Sequence, residues 1–289
     1  MRTVSTILLV LMVVATVVVS CGQKQVQEPL TEAPFYTTLE EGKQAAGADK
    51  PILMDFYTDW CTWCKKLNAE VFTDSAVIDY FVNNVVLVKI NAEVDSATAK
   101  AYNVSGYPTL VLVDKDGNEI DRIVGYLPAD EFIQKVDDYQ NGVGTLEDLL
   151  GQAEGSSDRE LFLEIADKYK YRGAPDDAKV WFEKVIAEGD PADSLSGESR
   201  MSLADMLRRA KDYAGARDAF AQIAKDFKGT TFAEGADIWT AIVYRQEGDT
   251  AKAIAAFENF IANYPQSEDV EYATEQIKKL KGIKEEETN

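Results

Sequence analysis

The sequence predicts two domains of different class, an α/β domain followed by an all-α domain of helical repeats. Three observations predict it. Residues 35–140 alternate short apolar runs with amphipathic stretches. Residues 158–281 carry no strand signal and instead repeat one alanine–phenylalanine pattern. Between them, 141–157 (NGVGTLEDLLGQAEGSS) has Gly and Ser at both ends, the composition of a linker. A chain of 289 residues is longer than one average domain needs and accommodates both domains plus an export segment.

The first twenty residues read as a signal peptide. Arg2 gives a positive start, and Ile7 to Val19 is an apolar run too short to span a bilayer, which takes about 20 residues. Val18-Val19-Ser20-Cys21 then places an apolar residue, a small residue and a cysteine at the end of that run. The tract resembles the lipobox of bacterial lipoproteins. The resemblance implies cleavage before Cys21 and acylation of its thiol and new amine, an anchor of several acyl chains that holds where one would not. Residues 22–34 (GQKQVQEPLTEAP) are polar with two prolines and form a tether, 21–34 with the cysteine, reaching at most about 45 Å.

Within 35–140 the elements follow in order. Phe35 to Ala46 is expected to be helical. Pro51 to Tyr57 (PILMDFY) is a buried strand, Cys61 to Phe72 and Ser75 to Asn83 are helices, and Val85 to Ile90 is a second apolar strand. Ser96 to Tyr102 is helical. Thr109 to Val113 and Glu119 to Val124 flank Asp114-Lys115-Asp116-Gly117-Asn118, whose Asp-Gly marks a hairpin. Pro128 to Tyr139 closes the domain with a helix, proline near its start.

In the second half, Ala178 and Phe182, Ala216 and Phe220, and Ala253 and Phe257 recur at intervals of 38 and 37 residues. Each copy follows a break: Gly173-Ala174-Pro175, Lys211-Asp212-Tyr213 and Gly248-Asp249-Thr250. Alanine lets two helices approach, and the aromatic four residues later fills the same face. The pattern over 158–283 resembles tetratricopeptide repeats, whose period of about 34 is slightly stretched here. A capping helix is expected from Ser267 to Leu280, before an acidic tail at 284–289.

Composition excludes several functions. A net charge of −20 leaves no Lys/Arg cluster for nucleic acid or for anionic lipid head groups. The chain has no histidine, which removes imidazole general bases, Cys–His dyads and His-based metal sites together. Of its three cysteines, Cys21 is assigned to lipid, leaving Cys61 and Cys64 as a pair. A zinc site would need two further Cys or His ligands, so no metal and no cofactor is expected.

Cys61-Thr62-Trp63-Cys64 places two sulfurs within bonding reach at a helix start, where free N–H groups stabilise a thiolate at the first cysteine. The segment Asp55-Phe56-Tyr57-Thr58-Asp59-Trp60-Cys61-Thr62-Trp63-Cys64-Lys65 resembles the active-site segment of the thioredoxin superfamily, and Gly106-Tyr107-Pro108-Thr109 resembles its cis-proline segment. Pro51 through Asp74 is closer to one branch, the C-terminal periplasmic domain of DsbD-type thiol:disulfide interchange proteins. The predicted architecture is therefore an α/β thioredoxin fold followed by an all-α tetratricopeptide-like helical repeat domain.

The resemblance implies roles. Cys61 is the attacking, more exposed thiol, and Cys64 the resolving thiol, deeper in the fold. Asp55 is a buried acid that exchanges a proton with Cys64, and Lys89 is the lysine beside that acid. Pro108 is cis and sets the Tyr107 backbone beside the sulfurs to pair with an incoming peptide. Trp60 and Trp63 either shape an apolar rim around Cys61 or, for Trp63, simply pack on the surface. The DsbD-type domain has a second acid four residues after the second cysteine, where this chain has Asn68.

Strong oxidants of the superfamily carry histidine in the dipeptide, and Thr62-Trp63 does not. This points to a disulfide reductase or electron relay, lipid-anchored in the bacterial cell envelope and facing the periplasm. Its expected partners are disulfide-containing extracytoplasmic proteins, a membrane electron donor such as a DsbD-like conduit, and a protein held by the repeats. Two alternatives stand beside it, an oxidase or isomerase of the same fold, and a lipid-anchored scaffold that works through its repeats.

Overall fold

The computed structural model describes residues 30–48 and 50–282. The expected signal peptide, Cys21, most of the tether and the acidic tail lie outside the described residues. Among the described residues, no helix is long and apolar enough to cross a membrane.

The first half is a five-stranded sheet in the order β1-β3-β2-β4-β5, formed by β1 (Phe35–Tyr36), β2 (Ile52–Tyr57), β3 (Val86–Asn91), β4 (Thr109–Val113) and β5 (Glu119–Val124). β3 runs parallel to β1 and β2, whereas β4 is antiparallel to both β2 and β5. Helices α1 (Leu39–Ala46) and α4 (Ser96–Ala101) lie among these strands in sequence, as do α2 (Thr62–Glu70) and α3 (Ser75–Asn84), and α5 (Ala129–Gln140) follows them. One expectation differs. Phe35 and Tyr36 pair with β3 as an edge strand, and the helix begins only at Leu39, because the Thr38 side chain caps it by accepting the Glu41 N–H.

Alternation along the strands divides the core. Ile52, Met54 and Phe56 enter one cluster with Val88, Ile90 and Val111. Leu53, Leu87 and Leu110 enter the other, beneath Leu67, Phe72, Phe81 and Phe132 of α2, α3, α5 and the turn after α2. Asp55 and Lys89 continue the second set by the same period of two, so both belong to the face covered by α2.

The helical half follows as α6 (Leu146–Gln152), α7 (Arg159–Tyr171), α8 (Pro175–Ala187), α9 (Ser194–Arg209), α10 (Tyr213–Asp226), α11 (Thr231–Glu247), α12 (Thr250–Asn263) and α13 (Val270–Leu280). The three Ala/Phe pairs fall on α8, α10 and α12 and are all buried. Each break preceding them holds one residue in the left-handed region, Gly173 (φ 73°), Lys211 (φ 64°) and Gly248 (φ 90°), so the repeats share backbone geometry as well as sequence. Gly173 has a second constraint, since a Cβ there would lie 2.9 Å from the Asn103 side chain of the first domain.

The segment 141–157, read as a linker, contains α6, with Leu149 and Ala153 packed against Phe162 and Ile165 of α7. Gly142, Gly144 and Gly155 mark the turns on either side of this docked helix. The two halves are further joined by a buried charge cluster. The fully buried Asp121 carboxylate accepts from Lys168 Nζ (3.0 Å), the Arg122 N–H (2.7 Å) and the Leu146 N–H (2.8 Å), and forms an ion pair with Arg172 (3.1 Å). The Arg122 guanidinium donates to the carbonyls of Tyr102 (3.0 Å) and Tyr171 (2.6 Å), one in each domain.

Candidate functional site

The site forms where β2 ends and α2 begins. The Cys61 N–H bonds back to the Thr58 carbonyl at 3.2 Å, closing a turn that stops the strand. Cys61 is then the N-cap of α2, and its Sγ accepts the Cys64 N–H at 3.1 Å. An orphan amide of the helix start is thus satisfied by sulfur, and the same amide with the helix dipole favours negative charge there. Cys61 and Cys64 are joined in a disulfide with their Cα atoms 5.3 Å apart.

The expected difference in exposure between the two thiols is absent in this disulfide form. Cys61 is 5% exposed and Cys64 7%. The reason is the cap itself, which turns the Cys61 sulfur inward onto the first turn of α2.

Asp55 is buried, and its Oδ1 has no hydrogen-bond partner among the described residues. It sits opposite Lys89 in the β2–β3 register and opposite Leu110 of β4. Burial raises its pKa from 3.8 to about 6, with the Lys89 charge pulling the other way. Burial lowers the Lys89 ammonium from its ordinary value, and Asp55 offsets part of that. Lys89 Nζ donates to Asn68 Oδ1 and lies over the rings of Phe72, Phe35 and Tyr57. Asn68, noted in the sequence only as a missing acid, therefore holds the lysine from the helix that carries the cysteines.

The remaining sequence-predicted residues line the entrance. The Tyr107–Pro108 bond is cis. Trp63, Tyr107 and Pro108 border a cavity of about 310 Å³ together with Gly125 and Tyr126. Trp63 is 57% exposed and its ring lies 5.9 Å from that of Tyr126, with the Lys66 ammonium over both. Trp60, 66% exposed, meets the Tyr107 ring edge-on at 6.0 Å and donates its indole N–H to Glu93 at 3.1 Å. Sequence reasoning missed Gly125, Tyr126 and Glu93. The signal for the first two was a glycine at a strand end, where φ is 92° and the Gly125 N–H reaches the Pro108 carbonyl at 2.9 Å.

Parts of the chain are similar to known proteins. A family described as thioredoxin-like domain matches residues 40–140, and one described as outer membrane lipoprotein matches 203–276. The thiol:disulfide interchange protein DsbD of Yersinia pestis (strain Pestoides F) is 36% identical over 96 residues, 32% of this chain and 16% of that protein. DsbD of Pectobacterium atrosepticum is 32% identical over 108 residues, 36% of this chain and 19% of that protein. The chain thus spans less than a fifth of the length of these relatives. A solved thioredoxin from Thermus thermophilus is 25% identical and covers 37% of this chain and 86% of its own, at a TM-score of 0.34. This chain carries a thioredoxin-like domain homologous to part of DsbD, followed by a helical region of which residues 203–276 are similar to an outer membrane lipoprotein family.

Proposed function

We propose that this protein is an exported thiol–disulfide oxidoreductase working as a reductase or electron relay on extracytoplasmic proteins. The observation that carries the reading is the Cys61 sulfur at the helix start, taking the Cys64 N–H at 3.1 Å. In the reduced protein the Cys61 thiolate attacks a client disulfide. A Cys61–client bond forms and the other client sulfur leaves as a thiolate, to be protonated by water. Cys64 then gives its proton to the Asp55 carboxylate and attacks Cys61 Sγ, which closes the Cys61–Cys64 disulfide and releases the second client sulfur as a thiolate that water protonates, while Asp55 returns its proton to water. Two electrons pass from the dithiol to the client. A dithiol of a membrane electron donor, of the DsbD-like kind, restores the pair.

Cell-envelope placement is supported by the DsbD homology and by the lipoprotein match over 203–276. Cys21 is proposed as the lipid anchor. Fatty-acid labelling that persists in Cys21→Ala would refute it. The repeats are proposed to hold a partner protein, as stacked helix pairs do.

Asp55 gives the reading a two-sided test. Between its ordinary pKa of 3.8 and about 6, the folded chain binds more protons than the unfolded chain. Stability therefore falls as pH rises through that window. Asp55→Asn is expected to raise stability at pH 7 by roughly 3 kcal/mol and to flatten the dependence between those values. The same variant is expected to slow resolution of mixed disulfides by at least about tenfold while sparing their formation. Denaturant unfolding across pH and stopped-flow with a peptide disulfide read the two effects. Resolution at the wild-type rate would remove Asp55 from the mechanism.

A further inference from the structure

Between the domains lies a cleft of about 600 Å³, larger than the cavity bordered by Trp63 and Pro108. α4 and the chain running from it to Pro108 form one wall and α7 to α9 the other, with Lys100, Val104, Tyr107, Lys170, Met206 and Arg209 among the lining residues. Tyr107 borders both this cleft and the cavity lined by Trp63 and Pro108, so the two adjoin at that residue. We propose that the cleft holds an acidic, extended polypeptide segment flanking the client disulfide that Cys61 attacks. The assignment rests on the reading of Cys61 given above and adds the location and chemistry of client recognition.

Charge is the first reason. The chain as a whole carries −20, yet the charged residues of this lining are Lys100, Lys170 and Arg209 against Asp205. Asp205 is already engaged on both oxygens, by Arg208 at 2.7 Å and by Arg209 at 2.6 Å. Lys170 is held in place by Asp167 and by the Ser202 hydroxyl at 3.2 Å. Lys100 and Arg209 are exposed, one on each wall. Three cations against one carboxylate make this lining an attractive place for an acidic segment on a chain whose net charge is otherwise negative.

Rigidity is the second reason. Arg122 links the Tyr102 carbonyl at the end of α4 to the Tyr171 carbonyl at the end of α7, and Tyr171 itself lines the cleft. The walls are therefore fixed before anything binds, which lowers the ordering cost of recognition. Val104, Tyr107 and Met206 supply apolar surface for alternate side chains of an extended chain. A client engaged at once by Cys61 and by this cleft gains effective concentration at the sulfur.

The test uses the full chain, pre-reduced, with peptide disulfides of equal length whose flanks are acidic, neutral or basic. At low salt the acidic peptide is expected to be reduced about tenfold faster than the neutral one, and the basic peptide slowest. The preference should shrink as salt shortens the screening length. In Lys100→Glu, and more fully with Arg209→Glu added, the order should collapse and then invert towards the basic peptide, an inversion that mere loss of folding cannot produce. Equal rates for all three peptides would overturn the assignment, as would an order unchanged by Lys100→Glu. A cleft filled by a second copy or by the chain's own N-terminal residues would also give equal rates. Failure to reduce any of the three peptides would instead refute the reading of Cys61.

Discussion

Cys61→Ser is expected to lower disulfide turnover by at least about a thousandfold, whereas Cys64→Ser should keep the first attack and stall at a stable mixed disulfide. The asymmetry follows from position on α2. Cys61 is the cap, with an amide N–H at 3.1 Å from its sulfur. Cys64 is one turn inside the helix, where the dipole has less to offer an anion. A hydroxyl at position 61 has no accessible anion at neutral pH, so attack is lost outright. A hydroxyl at position 64 leaves attack intact and removes only the thiol that ends it. Mass spectrometry of each variant after mixing with a peptide disulfide distinguishes the cases. An adduct forming faster on Cys64 of the Cys61→Ser variant than on Cys61 of the Cys64→Ser variant would reverse the roles.

The largest effect on stability is expected at Asp121, far in sequence from the cysteines. Its fully buried carboxylate faces Lys168 and Arg172 and accepts two backbone N–H groups as well. Asp121→Ala would leave the buried Lys168 ammonium without its carboxylate and part-buried Arg172 with Glu119 alone, and should cost about 3–5 kcal/mol. The Leu146 N–H, which starts α6, would lose its acceptor at the same time. Because this cluster joins the halves, the variant should also loosen their docking, seen as faster proteolysis within 141–157. Wild-type thermal stability in Asp121→Ala would show that the interdomain cluster contributes nothing. Burial pulls the Lys168 ammonium below its ordinary value, and only Asp121 and weaker carboxylates pull it back. Lys168→Met is therefore expected to be milder, since it removes a partly destabilised charge and leaves Asp121 paired with Arg172.

The local chemistry was legible because it is written in contiguous residues. The apolar runs of β2 and β4 declare their burial by being nearly continuous, and the Ala/Phe pairs of α8, α10 and α12 by their spacing of four. Asp55 was legible as a buried acid because apolar neighbours flank it. The relation between the halves was not. Glu119-Ile120-Asp121-Arg122-Ile123 carries three charged residues among two apolar ones and shows no period that marks burial, and Asp121 and Arg122 are buried through contacts with α6 and α7. Lys168 likewise reads as the polar side of an amphipathic helix. The glycines of 141–157 signalled turns but could not tell a flexible linker from a docked helix. Asn68 was legible only as a departure, because its function depends on where Lys89 arrives from another strand.

The central claim is that Cys61 and Cys64 form a reversible, reducing pair. It is tested most directly by equilibrating the full chain against glutathione and dithiothreitol buffers and measuring the fraction oxidised. The expected result is a two-electron transition with a midpoint more negative than about −200 mV, in the range of thioredoxins and glutaredoxins. A midpoint near about −120 mV, the range of strong oxidants, would contradict it, as would a pair that does not cycle at all.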